Sequence, residues 1–286
     1  MKYYLLLVQL ICTTSFANFT QENDLKIPVS DGHSIVTTGI DERTFNKVIN
    51  NVYKTYKPII KQAGYKKLTI NKLWKDPTVN SNTIQTKGEI IINAFGGLAR
   101  HPGMTYDSYM LILCHELGHH LGGYPKNRYS RWASNEGQSD YFATMKGFRE
   151  MTKNDKAPQI FFKHCQTDEF NVCCESFRDE NEIDVCNRSI KASTILANVL
   201  QSLARRYDPT LPVVRIDTPS NKVVDITDDM HPEAQIRLDT MYNGSICSVS
   251  RSEPFSEISP VPGACSEENG DTYGFRPRSW YKLLEK

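Results

Sequence analysis

The sequence lacks a marked excess of charge of either sign. Lys and Arg together number 34 and Asp and Glu number 33, which gives a formal net charge of +1 at pH 7 in a chain of 286 residues. The basic residues are spread along the chain rather than clustered. Because nucleic acids and anionic surfaces are recognised by concentrated positive charge, we expect no nucleic-acid partner.

The sequence also lacks an apolar run long enough to cross a bilayer, which needs about 20 residues. The apolar segment 3–11 is short; Lys2 precedes it, and Ser15-Phe16-Ala17 follows it. A basic residue, a short apolar core and small residues before a cleavage point are typical of a secretory signal peptide. We therefore expect residues 1–17 to be a signal peptide and the protein to be exported, either periplasmic or secreted, with no transmembrane segment.

No internal repeat or low-complexity linker divides the rest of the chain, so a single domain is expected over residues 18–286. Alternating and helical spacings are both present, which predicts an α+β fold, mainly helical with a small sheet. A strand is predicted at 67–74. Another extended run covers 84–95, in which Lys87-Gly88 is a turn signal before the apolar stretch 89–95. Helices are predicted at 41–62, 105–121, 134–151, 189–207 and 232–241.

Seven cysteines follow the predicted signal peptide, and four of them fall between Cys165 and Cys186. In an oxidising compartment this number favours disulfides. We expect two local bridges in a Cys-rich insertion at about 164–187, a third bridge between Cys247 and Cys265, and a buried free thiol at Cys114. A structural zinc site formed by His164 and the Cys165–Cys186 group is an alternative, although the closely spaced cysteine pairs of such sites are missing.

The strongest functional signal is His-Glu-Leu-Gly-His at residues 115–119, inside an apolar run. On a helix, His115 and His119 lie on one face, one turn apart. Two imidazoles so placed can bind one Zn²⁺, and Glu116 can reach a water molecule as a general base. The alternative is a core helix with two hydrogen-bonded histidines, but buried imidazoles and carboxylates are costly unless they are paired or bind metal.

A third ligand is expected from the next predicted helix. Glu136 and Asp140 are four residues apart and therefore share a face. A catalytic zinc needs three protein ligands, so Glu136 is predicted to bind the metal, while Asp140 accepts the N–H of a ligand histidine and fixes its tautomer. The alternative is a solvent-exposed helix edge with acids near its N-terminus.

These motifs resemble those of the gluzincin zinc peptidases. The resemblance lies in His115-Glu116-x-x-His119 and Glu136-x-x-x-Asp140, and Asn93-Ala94-Phe95 is similar to the substrate-binding edge strand of that group. Downstream, His231-Pro232 with Arg237 is similar to the C-terminal signature of the HtpX and CAAX-prenyl-protease family. The similarity covers roughly residues 84–240, whereas the Cys-rich insertion is not part of the family pattern.

The resemblance implies a zincin-like domain with one catalytic Zn²⁺ and endopeptidase activity on extended protein or peptide substrates, including misfolded or envelope proteins. Arg237 would stabilise the oxyanion of the tetrahedral intermediate, and His231 would lie near the zinc and gate its fourth position. Asn93 and Ala94 would bind substrate by β-augmentation, in an edge strand that flanks the active-site helix.

Two other functions are compatible with the same residues. One is a zinc-stabilised, chaperone-like binding protein that holds unfolded chains without cutting them; the intact Glu116 argues against this, because binding alone needs no general base. The other is a latent enzyme in which His231 or the insertion blocks the site. Nothing in the sequence selects an oligomeric state.

Overall fold

The computed structural model describes residues 17–29, 39–155 and 172–283. Nearly all of the predicted signal peptide lies outside these residues, as does the first part of the predicted insertion, including His164 and Cys165. The described chain is α+β, as predicted. Its helices are α1 (Glu42–Gln62), α2 (Gly96–Ala99), α3 (Tyr106–Leu121), α4 (Glu136–Phe142), α5 (Arg149–Thr152), α6 (Val172–Ser176), α7 (Glu180–Ala204) and α8 (Ala234–Ile246), with a π-helical stretch (Ala143–Phe148) that joins α4 to α5. Its strands are β1 (Ala17–Asn18), β2 (Lys67–Leu73), β3 (Ser81–Thr86) and β4 (Glu89–Phe95).

The sheet has the strand order β1-β3-β4-β2. β3 and β4 form an antiparallel hairpin whose turn, Lys87-Gly88, has positive φ angles of 49° and 81°, as two-residue hairpin turns require. β2 pairs parallel to β4 and β1 pairs antiparallel to β3. β4 is therefore an interior strand, and β3 carries β1 on its other side.

The strand order corrects one prediction. Asn93 and Ala94 lie in β4, with backbone neighbours in both β2 and β3. The Asn93 amide is held on both sides, since it donates to Asn82 Oδ1 and accepts from Asn71 Nδ2, each at 2.8 Å. The expectation that this is an edge strand is wrong. An interior strand has no free backbone groups for an added peptide, so the basis for assigning substrate binding to these two residues is lost.

α3 is the central helix of the molecule. Its side chains from Ser108 to His120 are all buried, because α1, α4, α7 and the sheet pack around it. It begins at a capping box formed by Thr105 and Ser108 and ends at Gly122. The apolar core around it extends from Phe19 to Cys265, so the predicted metal-binding helix is enclosed by the rest of the fold.

The later helices differ in extent from the sequence prediction. α7 begins at Glu180, where Asp179 caps it, rather than at Ser189. The last part of the predicted insertion is thus the first two turns of a core helix. α8 extends to Ile246, beyond the predicted end at Met241, and most of its residues are buried, Arg237 among them.

The cysteines largely follow the prediction. Cys173–Cys186 and Cys247–Cys265 are disulfides, and Cys114 is a buried free thiol. Cys174 is also disulfide-bonded. Since a disulfide sulfur is not available as a thiolate ligand, the structural zinc alternative is wrong for these cysteines. Disulfides of this kind fit an oxidising, extracytoplasmic compartment.

Candidate metal centre

The structure brings together the three predicted metal ligands. His115 and His119 are one turn apart on α3, and Glu136 is the first residue of α4. The two Nε2 atoms are 3.1 Å apart, and the Glu136 carboxylate oxygens lie 3.3 Å from His115 Nε2 and 3.7 Å from His119 Nε2. All three residues are buried. They form a group that could hold a metal ion, and the structure does not show which ion that is.

The outer nitrogens of both imidazoles are fixed by hydrogen bonds. His115 Nδ1 donates to Asp140 Oδ1 and His119 Nδ1 donates to the Ser134 carbonyl, each at 2.8 Å. With their Nδ1 protons so placed, both rings direct Nε2 toward the same point. Two lone pairs at this separation repel each other unless a cation lies between them. That cation is either a proton or a metal ion.

Electrostatics distinguish the two histidines. Burial lowers the pKa of His115, but the Asp140 and Glu136 carboxylates outweigh burial and raise that pKa to about 9. His119 has no such partner on its Nδ1 side, and burial lowers its pKa to about 4. Burial disfavours the charged form of Glu136, yet His231 and His119 hold the pKa of this carboxyl below its ordinary value. Glu136 therefore supplies a carboxylate.

The Glu116 carboxyl group makes no close hydrogen bond in the described structure, although Ser81 and His115 lie near enough to lower its pKa slightly. It is fully buried, and neither of its carboxylate oxygens has a hydrogen-bond partner among the described residues. Burial raises its pKa to about 8. A buried carboxylate without a partner is costly, and it lies in the same helix as both histidines. Such a group is free to exchange a proton with a molecule bound at the centre.

Asp140 and Arg237 form a buried ion pair behind the centre. The guanidinium donates Nε–H to Asp140 Oδ2 and Nη2–H to Asp140 Oδ1, both at 2.7 Å. Burial disfavours the charge on Asp140, but Arg237 and His115 hold the pKa of its carboxyl below the ordinary value. Asp140 thus occupies the position that was predicted from its spacing. Its carboxylate orients His115 and Arg237 at once.

His231 and Arg237 point toward the N-terminal residues. His231 Nε2 donates to the Asn18 carbonyl, and Arg237 Nη1 donates to the Phe19 carbonyl, each at 2.6 Å. His231 Nε2 also lies 3.6 Å from Glu136 Oε2. Sequence reasoning placed both side chains near the metal but missed Asn18 and Phe19, which carry no motif and follow directly after the predicted signal peptide.

The described residues include no helix that is both long and apolar enough to cross a membrane.

No protein-family model, curated protein or solved structure matches this chain. The relation to the gluzincin and HtpX-like peptidases therefore remains a prediction, carried by the motifs and by the geometry of their residues.

Proposed function

We propose that this protein is a zinc-dependent endopeptidase. The observation that carries the proposal is the buried Glu116 carboxyl group, which makes no close hydrogen bond, beside a cluster of His115, His119 and Glu136. Structural metal sites need no such group, since their ligands complete the coordination. A general base with a raised pKa, adjacent to an incomplete ligand set, is typical of a hydrolytic centre.

Zinc is the ion that suits this donor set best. Two imidazoles and one carboxylate are the ligands of many catalytic zinc sites, in which bonds are about 2.0–2.1 Å long. A tetrahedral ion with such bonds holds its ligand atoms about 3.3 Å apart. Here the two Nε2 atoms are 3.1 Å apart. Glu136 Oε2 lies 3.3 Å from His115 Nε2, and the other oxygen of the same carboxylate, Oε1, lies 3.7 Å from His119 Nε2. The hydrogen-bonded Nδ1 atoms complete the fit, because ligand histidines in proteins are held in this way.

Zinc, when bound, polarises a peptide carbonyl and makes water a stronger nucleophile at neutral pH. Glu116 accepts the proton of the attacking water and then delivers it to the nitrogen of the leaving amine. His231 and Arg237 donate hydrogen bonds to two successive peptide carbonyl oxygens, as both already do in the structure. The one that binds the carbonyl under attack stabilises its developing negative charge, and the other positions the neighbouring peptide group. Asp140 holds His115 and Arg237 in place.

The substrate would bind as an extended chain along β3 rather than along β4. β3 is the strand next to α3 whose outer side accepts a further antiparallel strand. Backbone pairing of this kind recognises any extended peptide, and side-chain pockets add preference. This location replaces the one expected from Asn93 and Ala94.

The test is metal analysis combined with proteolysis of the purified chain. We expect about one zinc per chain and slow hydrolysis of unfolded casein that a chelator stops and added zinc restores. Glu116→Gln should keep the zinc and lose hydrolysis by at least about 100-fold, whereas Glu150→Gln, a control outside the centre, should retain both. Hydrolysis that persists at the normal rate in Glu116→Gln would refute the proposal. Bound zinc with no detectable hydrolysis would favour the binding-protein or the latent-enzyme alternative.

A further inference from the structure

The N-terminal segment, defined here as Asn18–Thr20, begins directly after the predicted cleavage point and is bound at the candidate metal centre as an added strand. Asn18 lies opposite Asn82 in the antiparallel pairing of β1 with β3, and the Phe19 N–H donates to the Ser81 carbonyl at 2.9 Å. α3 contacts both strands. The segment is thus held by backbone groups of β3, which is how an exposed strand edge binds an extended peptide of another molecule.

The two carbonyls of the segment are held by the side chains that we assign to catalysis. His231 Nε2, which donates to the Asn18 carbonyl, is also 3.6 Å from a carboxylate oxygen of Glu136. Arg237, which donates to the next carbonyl along the chain, is held by Asp140. The peptide bond between Asn18 and Phe19 therefore lies beside the metal ligands.

The Phe19 side chain fills a closed pocket at the centre. It is 0 % exposed, and its ring meets the His115 ring edge to face, with centroids 5.1 Å apart. The Arg237 guanidinium lies 4.4 Å above the same ring, in a cation–π contact. The pocket thus combines an apolar wall with the face of a fixed cation, which suits an aromatic side chain better than an aliphatic one.

The other side of the chain faces open volume. Residues 20–23 line a cavity of about 680 Å³ whose wall also includes His231 and Arg237. The backbone of the N-terminal segment is thus held by β3, His231 and Arg237, while the residues that follow it border this cavity. Its departure would require the β1–β3 pairing to be broken and the Phe19 pocket to be vacated.

We infer that the N-terminal segment occupies the place of a peptide substrate, and that the centre binds extended segments in which an aromatic residue follows the peptide group held by His231. Segment and substrate compete for β3, so the enzyme is latent while the segment is in place. That the N-terminal segment occupies the place of a substrate rests on the proposed function. That it competes with other extended peptides for β3 does not. The block lies in residues 18–20, which follow the predicted signal peptide, rather than in His231 or the insertion.

Competition is measured as peptide binding in the zinc-loaded full chain carrying Glu116→Gln, so that nothing is cut. The probe is a labelled, acetylated hexapeptide with the sequence of residues 17–22, Ala-Asn-Phe-Thr-Gln-Glu, followed by fluorescence anisotropy. Adding Phe19→Ala should tighten binding at least tenfold, because the internal competitor is weakened. The same peptide with Asp in place of Phe should not bind. Phe45→Ala, which also removes a fully buried ring, is the matched control and should bind like the parent.

A reversible disulfide between β1 and β3, called the lock below, tests the same competition without removing Phe19. Asn18→Cys combined with Asn82→Cys places two thiols opposite each other across β1 and β3, at a separation that a disulfide can span. The oxidised form should not bind the peptide, and reduction should restore the affinity of the parent. Zinc transfer to a chelator should also be several-fold slower in the oxidised form. The chain without the engineered cysteines, treated with the same reductant, is the control.

Equal affinity in the parent and in Phe19→Ala, or peptide binding to the oxidised lock, would overturn the inference. If Phe19→Ala does not fold, equal zinc-transfer rates from the oxidised and reduced lock would overturn it. A separate result bears on the proposed function alone: if neither the native chain nor its Phe19→Ala variant hydrolyses casein while peptide binding follows the expected pattern, the centre binds peptides without cutting them.

Discussion

Gly118 of α3 lies directly against the backbone of Ser139 in α4. A Cβ atom at Gly118 would be 2.9 Å from both the Cα and the carbonyl oxygen of Ser139, which is closer than such atoms approach in proteins. The two helices therefore meet at a distance that only glycine permits at this position. Glu136 lies one turn before Ser139, so this contact sets its distance from His115 and His119.

Gly118→Ala should therefore lower both the stability of the protein and its affinity for zinc, although Gly118 is not itself a ligand. Although alanine is the better helix former, the added methyl group must push α4 away, at a cost in unfolding free energy of about 1–3 kcal/mol. We expect the zinc affinity to fall together with the stability. Competition with a chromogenic chelator measures this affinity. Because the contact is with backbone atoms, Ser139→Gly should not rescue the variant. Full rescue would show that the Ser139 side chain, and not helix separation, is responsible.

Asp140→Asn should affect both metal binding and stability. The amide loses the charge that orients His115, and loss of such an outer partner typically costs 10- to 100-fold in metal affinity. Arg237 is left buried without its carboxylate, which should cost about 3–5 kcal/mol of unfolding free energy. Denaturant unfolding of the metal-free chains measures the second effect. The double variant Asp140→Asn/Arg237→Met should recover much of the stability and none of the metal affinity.

Zinc binding should release a proton near neutral pH. Two carboxylates raise the pKa of His115 to about 9, so this imidazole is protonated at pH 7.5 before the metal binds. A metal ligand must be neutral, and affinity should therefore fall about tenfold for each pH unit below 9. Calorimetry in two buffers of different ionisation enthalpy gives the number of protons released, which we expect to be about one. A value of zero at pH 7.5 would contradict the raised pKa of His115.

His120 should make the fold sensitive to acid. Its ring bonds the Thr83 hydroxyl at 2.8 Å and stacks on Trp132, and burial holds its pKa well below the ordinary value of 6.5. The unfolded chain therefore binds more protons than the folded chain below pH 6.5. Stability should be lost as pH falls through 6.5 and further below it, at up to about 1.4 kcal/mol per pH unit. His120→Gln should reduce this slope by one proton, and an unchanged slope would exclude His120 as its source.

The local elements were predictable from the sequence because their signals are local. Thr105 and Gly122 mark the two ends of α3, and Lys87-Gly88 marks the β3–β4 turn. The metal ligands were predictable for the same reason. Residues four apart on a helix share a face, and His115 with His119, like Glu136 with Asp140, uses this spacing.

Other features were not predictable because they depend on pairing between distant segments. The parallel alignment of β2 with β4 makes β4 an interior strand, and no local pattern distinguishes an interior strand from an edge strand of the same composition. α7 begins earlier than expected because the first part of the helix is stabilised by α8 and by the Cys173–Cys186 disulfide rather than by a regular apolar stripe.

The sequence by itself determined that two imidazoles and a carboxylate can share one metal ion, because helix periodicity fixes which side chains lie together. Only the tertiary structure decided what surrounds that cluster. The approach of α4 at Gly118, the burial of Arg237 against Asp140, and the strand of residues 17–18 beside β3 all join parts of the chain that are far apart in sequence. Packing and long-range hydrogen bonds fix these relationships, and neither produces a periodic pattern in the sequence from which they could be predicted.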